Sequence, residues 1–328
     1  MSISDGLAHA TLEFRKFRIL HSRLLRICEE IDILRRVGRQ AREEWEASGR
    51  KRARSPQKFL PIIGPTGTGK STAIIYYDET VVSLERHAPD VRPFLHVTLS
   101  AKATTKTLGS DLLEATGDPD FETGTATRLL RRASNHIDAA RTEALALDEI
   151  HHLINSDNAM SARGGGKTAW SVTETIKRML IHGACPFIIL GTEQATPLLL
   201  KNPQFKQRSY APIFLNPLDI SLPDEREMFL DHCAGFDSKL VEHGIFTRSS
   251  GLVAGDIPAC VYEVSQGIIG TASNLFETAA ILALRRGDDA VRRDDLSDAV
   301  RTWAIPLGII DHNPFDLGPR RLRIGKVT

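Results

Sequence analysis

The chain has 328 residues, 41% of them hydrophobic and 25% charged, with a net charge of only +1. That balance suits a globular protein larger than one ordinary domain, and it excludes a polycation binding nucleic acid through overall charge. Four scattered cysteines (Cys28, Cys185, Cys233, Cys260), with no Cys-x-x-Cys pair and no histidine at metal spacing, argue against both a disulfide framework and a zinc site. With no 18-residue apolar run and no signal-peptide pattern, a cytoplasmic protein with no membrane partner is expected.

In chain order, residues 12–46 read as one helix. Phe17, Leu20, Leu24, Ile27, Ile31 and Leu34 recur at steps of three and four, and arginines including Arg35, Arg39 and Arg42 are assigned to an opposite, basic face. A basic cluster to Lys58 ends this N-terminal segment, 1–58. From Phe59 short apolar runs alternate with amphipathic stretches. The runs begin at Phe59, Phe94, Ala144, Pro186 and Pro212. Near-continuous apolar runs of this length suit strands buried on both faces of a parallel sheet, and the stretches between them supply crossover helices. The expected α/β core spans 59–218. Helices near 223–234, 257–267, 271–286 and 293–304 make a small helical domain over 219–305, and 306–328 reads as a basic tail.

Gly64-Pro65-Thr66-Gly67-Thr68-Gly69-Lys70-Ser71 has the Gly-x-x-x-x-Gly-Lys-Ser spacing. Glycines let successive amides turn inward around phosphate oxygens, and the following helix, reached through Thr72, presents its positive end. Lys70 would reach the β- and γ-phosphates and Ser71 would bind Mg2+. The run Ala144–Leu147 ends in Asp148-Glu149. Asp148 is placed to hold Mg2+, and Glu149 to orient and activate the attacking water. Thr192, after the fourth run, is a γ-phosphate sensor, a helix N-cap, or both at once. Arg208 is either a finger reaching a neighbouring subunit's nucleotide or a solvated arginine. Gly164 to Lys167 imitates a phosphate loop without a preceding strand and reads as a hinge. His151 and His152, being adjacent, are not expected to share a metal.

The loop, Asp148-Glu149, Gly191-Thr192 and Arg208 together resemble AAA+ ATPases. The long first helix, Ser100-Ala-Lys102-Ala-Thr-Thr105-Lys106, the line from Ile188 to Ala195, and Asn202 to Arg208 resemble, more narrowly, the TniB/TnsC transposition ATPases. The resemblance implies an additional-strand P-loop NTPase fold: a five-stranded parallel core with an N-terminal helix and a C-terminal helical lid. It also implies ATP and Mg2+ as cofactors, and assembly of a homo-oligomeric ring or filament on double-stranded DNA without sequence reading. Further partners would be a transposase and a target-selection protein. Lys70, Ser71, Asp148 and Glu149 take the loop and acidic positions, Thr192 the sensor and Arg208 the trans finger. Lys102, Thr105 and Lys106 fall in the segment after the second strand that in the family lines the DNA channel, and Thr125 sits at a nearby loop that could also face the DNA backbone; a solvated loop and helix start is the alternative. The stretch Gly267–Asn274 carries no second-sensor arginine. A helicase- or clamp-loader-type ATPase, and a nucleotide-switched scaffold that does not bind DNA, remain alternatives.

Overall fold

The computed structural model describes residues 3–101, 104–152, 168–201 and 203–320. Lys102, the Gly164–Lys167 stretch and the last eight residues of the basic tail lie outside them. The chain divides into two units. Arg23–Pro65 and Lys70–Leu215 form an α/β unit, while Met1–Ser22, Thr66–Gly69 and Asn216–Thr328 group as a helical one.

The α/β unit holds β1 (Phe59–Ile63), β2 (Phe94–Thr98), β3 (Ala144–Asp148), β4 (Phe187–Gly191) and β5 (Ile213–Phe214), all parallel, in the order β2-β3-β4-β1-β5. Every residue of β1, β3 and β4 is buried, which is why these strands read as unbroken apolar runs rather than as an alternation. Helices α3 (Lys70–Thr80), α4 (Thr105–Ala115), α5 (Ala126–Ala139), α6 (Thr168–Ile181) and the short α7 (Pro203–Lys206) complete the unit, with α2 (Ser22–Ala47) at its N-terminal side. Leu129, Ala133 and Ile137 form the buried face of α5, and Gly109 of α4 lets the two helices close up: a Cβ there would stand 2.9 Å from that of Leu129. Burying each such large apolar side chain contributes about 1.5–3 kcal/mol.

Two expectations from the sequence are corrected. The single helix over 12–46 is two helices, α1 (Ile3–Phe14) and α2. Lys16 and Phe17 donate backbone bonds back to Glu13 and Phe14, and the Arg18 guanidinium takes the carbonyls of Arg15 and Phe17, so the first helix ends there. Phe17 and Leu20, which open the apolar stripe, lie in the non-helical connection, and only Leu24, Ile27, Ile31 and Leu34 line the buried face of α2. Periodicity reports a buried face, not its partner. Arg35 and Arg42, assigned to the basic face opposite the stripe, instead lie on the buried face, at 1% and 8% exposure. They extend the stripe Leu24, Ile27, Ile31, Leu34, Gly38. Arg35 makes a bidentate pair with Glu85 (3.0 and 2.7 Å), and it also meets Glu143 (2.8 Å) and the Tyr77 hydroxyl (3.1 Å). Arg42 donates to the carbonyls of Asp138 and Thr142. The cluster closes because α2 lies on the start of β3, where a Cβ on Gly38 would come within 1.9 Å of the Glu143 carbonyl oxygen.

In the helical unit, α8 (Pro223–Glu242), α9 (Ile257–Ser265), α10 (Ile269–Arg286) and α11 (Arg293–Ala299) pack with α1. Phe14 and Phe17 of the N-terminal segment meet Phe236, at centroid distances of 6.2 and 5.2 Å, and Glu13 pairs with His243 at 2.7 Å. The segment expected as tail is in part structural. Residues 314–317 form a short α12 (Pro314–Leu317) against α9 and α11, with Phe315 buried and His312 bridging to Glu263 at 2.7 Å. Among the described residues no single helix is long and apolar enough to cross a membrane. The apolar pair α9 and α10 buries Val261, Val264, Leu275 and Phe276 within its own unit.

Candidate nucleotide site

β1 lies between β4 and β5, and β4 separates it from β3, so the segments leaving β1, β3 and β4 emerge side by side at the carboxyl edge of the sheet. That edge is where open parallel sheets bind ligands. The loop after β1 takes left-handed backbone at Gly67 (φ 83°) and Gly69 (φ 92°), which side-chain-bearing residues adopt at a cost. Gly64 is needed for a different reason: a Cβ there would strike the Leu215 carbonyl oxygen at 2.3 Å. Thr66–Gly69 group with the helical unit, where the Gly270 amide donates to the Gly67 carbonyl at 2.8 Å. Pro65 and Thr66 are at least partly open to solvent, Thr68 is buried, and Thr72 sits in the first turn of α3.

Lys70 is buried at the start of α3 and its ammonium donates to the carbonyls of Gly64 (2.7 Å) and Pro65 (2.8 Å). Burial pushes its pKa down, opposed by the charges of Asp148 and Glu149. The two carbonyls use two of three N–H donors, and among the described residues no carboxylate bonds to the ammonium, which leaves one donor over. Ser71 Oγ donates to Asp148 Oδ2 at 2.5 Å, joining residues 77 positions apart. Asp148 is 3% exposed; its Oδ1 accepts the Glu149 amide at 2.8 Å and its Oδ2 lies 3.4 Å from His96 Nε2. Burial alone would raise its pKa, but His96, Ser71 and the Glu149 amide outweigh that and hold it below the usual carboxylate value. A hydroxyl touching an ionised carboxylate is a hard-oxygen pair of the kind Mg2+ takes. These residues fit the ion.

Glu149 follows in left-handed backbone (φ 61°) and its carboxylate contacts His151 Nε2 at 3.1 Å. Burial pushes the His151 pKa down, with Glu149 opposing. Thr192 leaves the end of β4 and stands at the N-cap position of a short 3-10 turn, yet its hydroxyl makes no capping bond. Thr192 Oγ1 is buried with no hydrogen-bond partner among the described residues. Such an orphaned hydroxyl fits a ligand contact better than a cap. Gly191 before it must be small, because a Cβ would meet Ile150 Cγ2 at 2.6 Å.

The other expected residues are dispersed. Arg208 is half-buried in the turn before β5; its carbonyl accepts the Phe59 amide, and its side chain has no partner among the described residues. Thr105 and the exposed Lys106 open α4, capped by Thr104 and Thr107. Thr125 is exposed and caps α5 by accepting from the Arg128 amide at 3.4 Å, a structural task its sequence position did not reveal. Sequence reasoning missed His96. The available signal was a polar residue inside an apolar strand, two positions before Thr98, which pairs in register with Asp148.

Sheet order, glycine loop and acidic strand end define a AAA+ P-loop nucleoside triphosphatase fold. Residues 52–199, from β1 through β4, match the AAA domain family. No curated protein matches the chain. Among solved structures it resembles the Aeropyrum pernix ORC2 protein in ADPNP-ADP complexes, with TM-score 0.54, 15% identity, 84% of this chain and 67% of that one covered. The Aeropyrum pernix ORC1 protein in complex with DNA superposes with TM-score 0.51 at 20% identity, over 82% of this chain and 63% of that one. Cdc6p from Pyrobaculum aerophilum gives TM-score 0.52 at 13% identity, over 87% and 67%. The chain thus spans about two thirds of each relative's length, and at these identities the likeness is one of fold.

Proposed function

We propose that the protein is an ATP-hydrolysing AAA+ ATPase that assembles on duplex DNA and regulates transposition by recruiting a transposase. The observation that carries the nucleotide chemistry is the Ser71–Asp148 contact beside the buried Lys70 ammonium. Ser71 and Asp148 would hold Mg2+, which when bound neutralises phosphate charge. The amides of Gly64 to Ser71 and Thr72 and the Lys70 ammonium would grip the triphosphate. Glu149 would take the proton of the attacking water, Thr192 would hold that water or the γ-phosphate, and Arg208 of one copy would complete the site of the next. Each nucleotide would then join two copies, so assembly would follow nucleotide occupancy.

The DNA half is supported by the likeness to an ORC1 protein solved with DNA and by the exposed Lys106 beside Thr105. Lys102 and Thr125 would join them as sequence-independent phosphate contacts. The transposase and the target selector are supported by the TniB/TnsC-like stretches alone. The ORC and Cdc6 likeness favours a second reading, a replication-initiator or helicase-loader ATPase. Filter binding of duplex DNA tests the shared core of both readings: Mg·ATP should raise retention at low salt, and Lys70→Ala should remove that increase. Retention indifferent to nucleotide refutes both readings, and specific capture of a helicase rather than a transposase selects the second.

A further inference from the structure

Two adjacent histidines in extended chain point to opposite sides, so a shared ligand is not expected of His151 and His152. After β3 the chain is not extended. Glu149 takes left-handed backbone, the His152 amide closes a turn onto the Glu149 carbonyl at 2.9 Å, and Ile150 is anchored by its amide bond to the Leu190 carbonyl at 3.0 Å. The two imidazoles come to one side with centroids 4.8 Å apart. One carboxylate oxygen of Glu149 and one ring nitrogen from each histidine lie within 4.8 Å of one another.

Two imidazoles and a carboxylate form the protein ligand set of an open three-ligand zinc site. Ligand atoms 2.0–2.2 Å from zinc stand roughly 3.3 Å apart, so modest side-chain rotation closes the set. The Glu149 oxygen and His151 Nε2 are already 3.1 Å apart. His152 Nδ1 lies 3.0 Å from the Leu99 carbonyl oxygen, the kind of outer contact that orients metal-binding histidines. His151 Nδ1 is buried with no hydrogen-bond partner among the described residues, so no bond at that nitrogen has to break for the ring to turn.

We propose that Glu149, His151 and His152 bind a borderline divalent ion of the Zn2+ class, separate from the hard-oxygen position at Ser71 and Asp148, and that filling this site withdraws Glu149 from hydrolysis. Nitrogen donors select against Mg2+, so the two sites discriminate by donor chemistry. The inhibitory half rests on the role given to Glu149 above; the binding half does not.

The test is a titration of tag-free, nucleotide-free protein with Zn2+ against a chromophoric chelator, with Co2+ absorption as the geometric readout. Wild type should take up one equivalent. His152→Ala and, as a second variant, His151→Asn should weaken binding at least about tenfold. Asp148→Asn should leave it unchanged. Absence of stoichiometric binding, or equal affinity in wild type and both histidine variants, overturns the site. In a separate turnover assay one equivalent of Zn2+ should arrest wild type and spare His152→Ala. Stoichiometric binding without arrest leaves the site standing and overturns the assignment of Glu149.

Discussion

Replacing Thr192 by valine separates a structural hydroxyl from a functional one. Thr192 Oγ1 is buried and has no hydrogen-bond partner among the described residues, and it does not cap the turn that follows. Valine keeps the branched shape, so no cavity opens. A buried unsatisfied polar group costs about 1–3 kcal/mol, and removing one should leave stability unchanged or raise it within that range. If the hydroxyl instead waits for the γ-phosphate or the attacking water, its loss forfeits a bond to a charged group, about 1.5–3 kcal/mol. That corresponds to a fall in turnover of roughly ten- to a hundred-and-fifty-fold. Urea unfolding and ATP turnover at saturating Mg·ATP measure the two sides, and Thr192→Ser should restore most of the turnover. A valine variant that hydrolyses ATP at the wild-type rate, or that loses more than about 1 kcal/mol of stability, refutes the reasoning.

Glu149→Gln should keep Mg·ATP binding, lower turnover by at least about a hundredfold and prolong residence on duplex DNA, measured by single-turnover hydrolysis and dissociation kinetics. Normal turnover in that variant removes Glu149 as the water-activating group. Arg35→Ala leaves the Glu85 carboxylate without its bidentate partner and Glu143 with Arg39 alone, and should cost about 3–5 kcal/mol in urea unfolding. A loss below about 1 kcal/mol would mean that water replaces the guanidinium there. His232 is held against Ser273 Oγ at 2.9 Å, and burial, aided by His21, pushes its pKa down to about 4. Between about 4 and the ordinary value of 6.5 the unfolded chain takes a proton that the folded chain refuses, so stability should fall as pH drops through that window. His232→Gln should flatten the acid limb of a Tm-against-pH profile, and an unchanged limb would assign it to other groups.

Local pattern alone made the sheet and the phosphate loop legible. Strands buried on both faces must be apolar throughout, and a chain that wraps a phosphate with its amides needs glycines at set intervals, so Phe59–Ile63, Ala144–Asp148 and Gly64 to Ser71 carry their structure in consecutive residues. Contacts between distant residues were not legible. Nothing near Arg35 announces Glu85 and Glu143, and a helical stripe that passes from Ile31 through Arg35 to Arg42 looks like the start of a charged face until its partners are seen. The break between α1 and α2 was hidden because Phe17 and Leu20 keep the helical spacing although they lie in the non-helical connection. That the Thr192 hydroxyl makes no capping bond, and has no partner among the described residues, shows only in three dimensions. The adjacency of His151 and His152 does not encode the left-handed turn at Glu149 that brings their rings to one side. Sequence determines what a segment can satisfy by itself, since backbone geometry and burial act locally. Which distant carboxylate, carbonyl or ring completes the rest is settled only when folding brings them within a few ångströms.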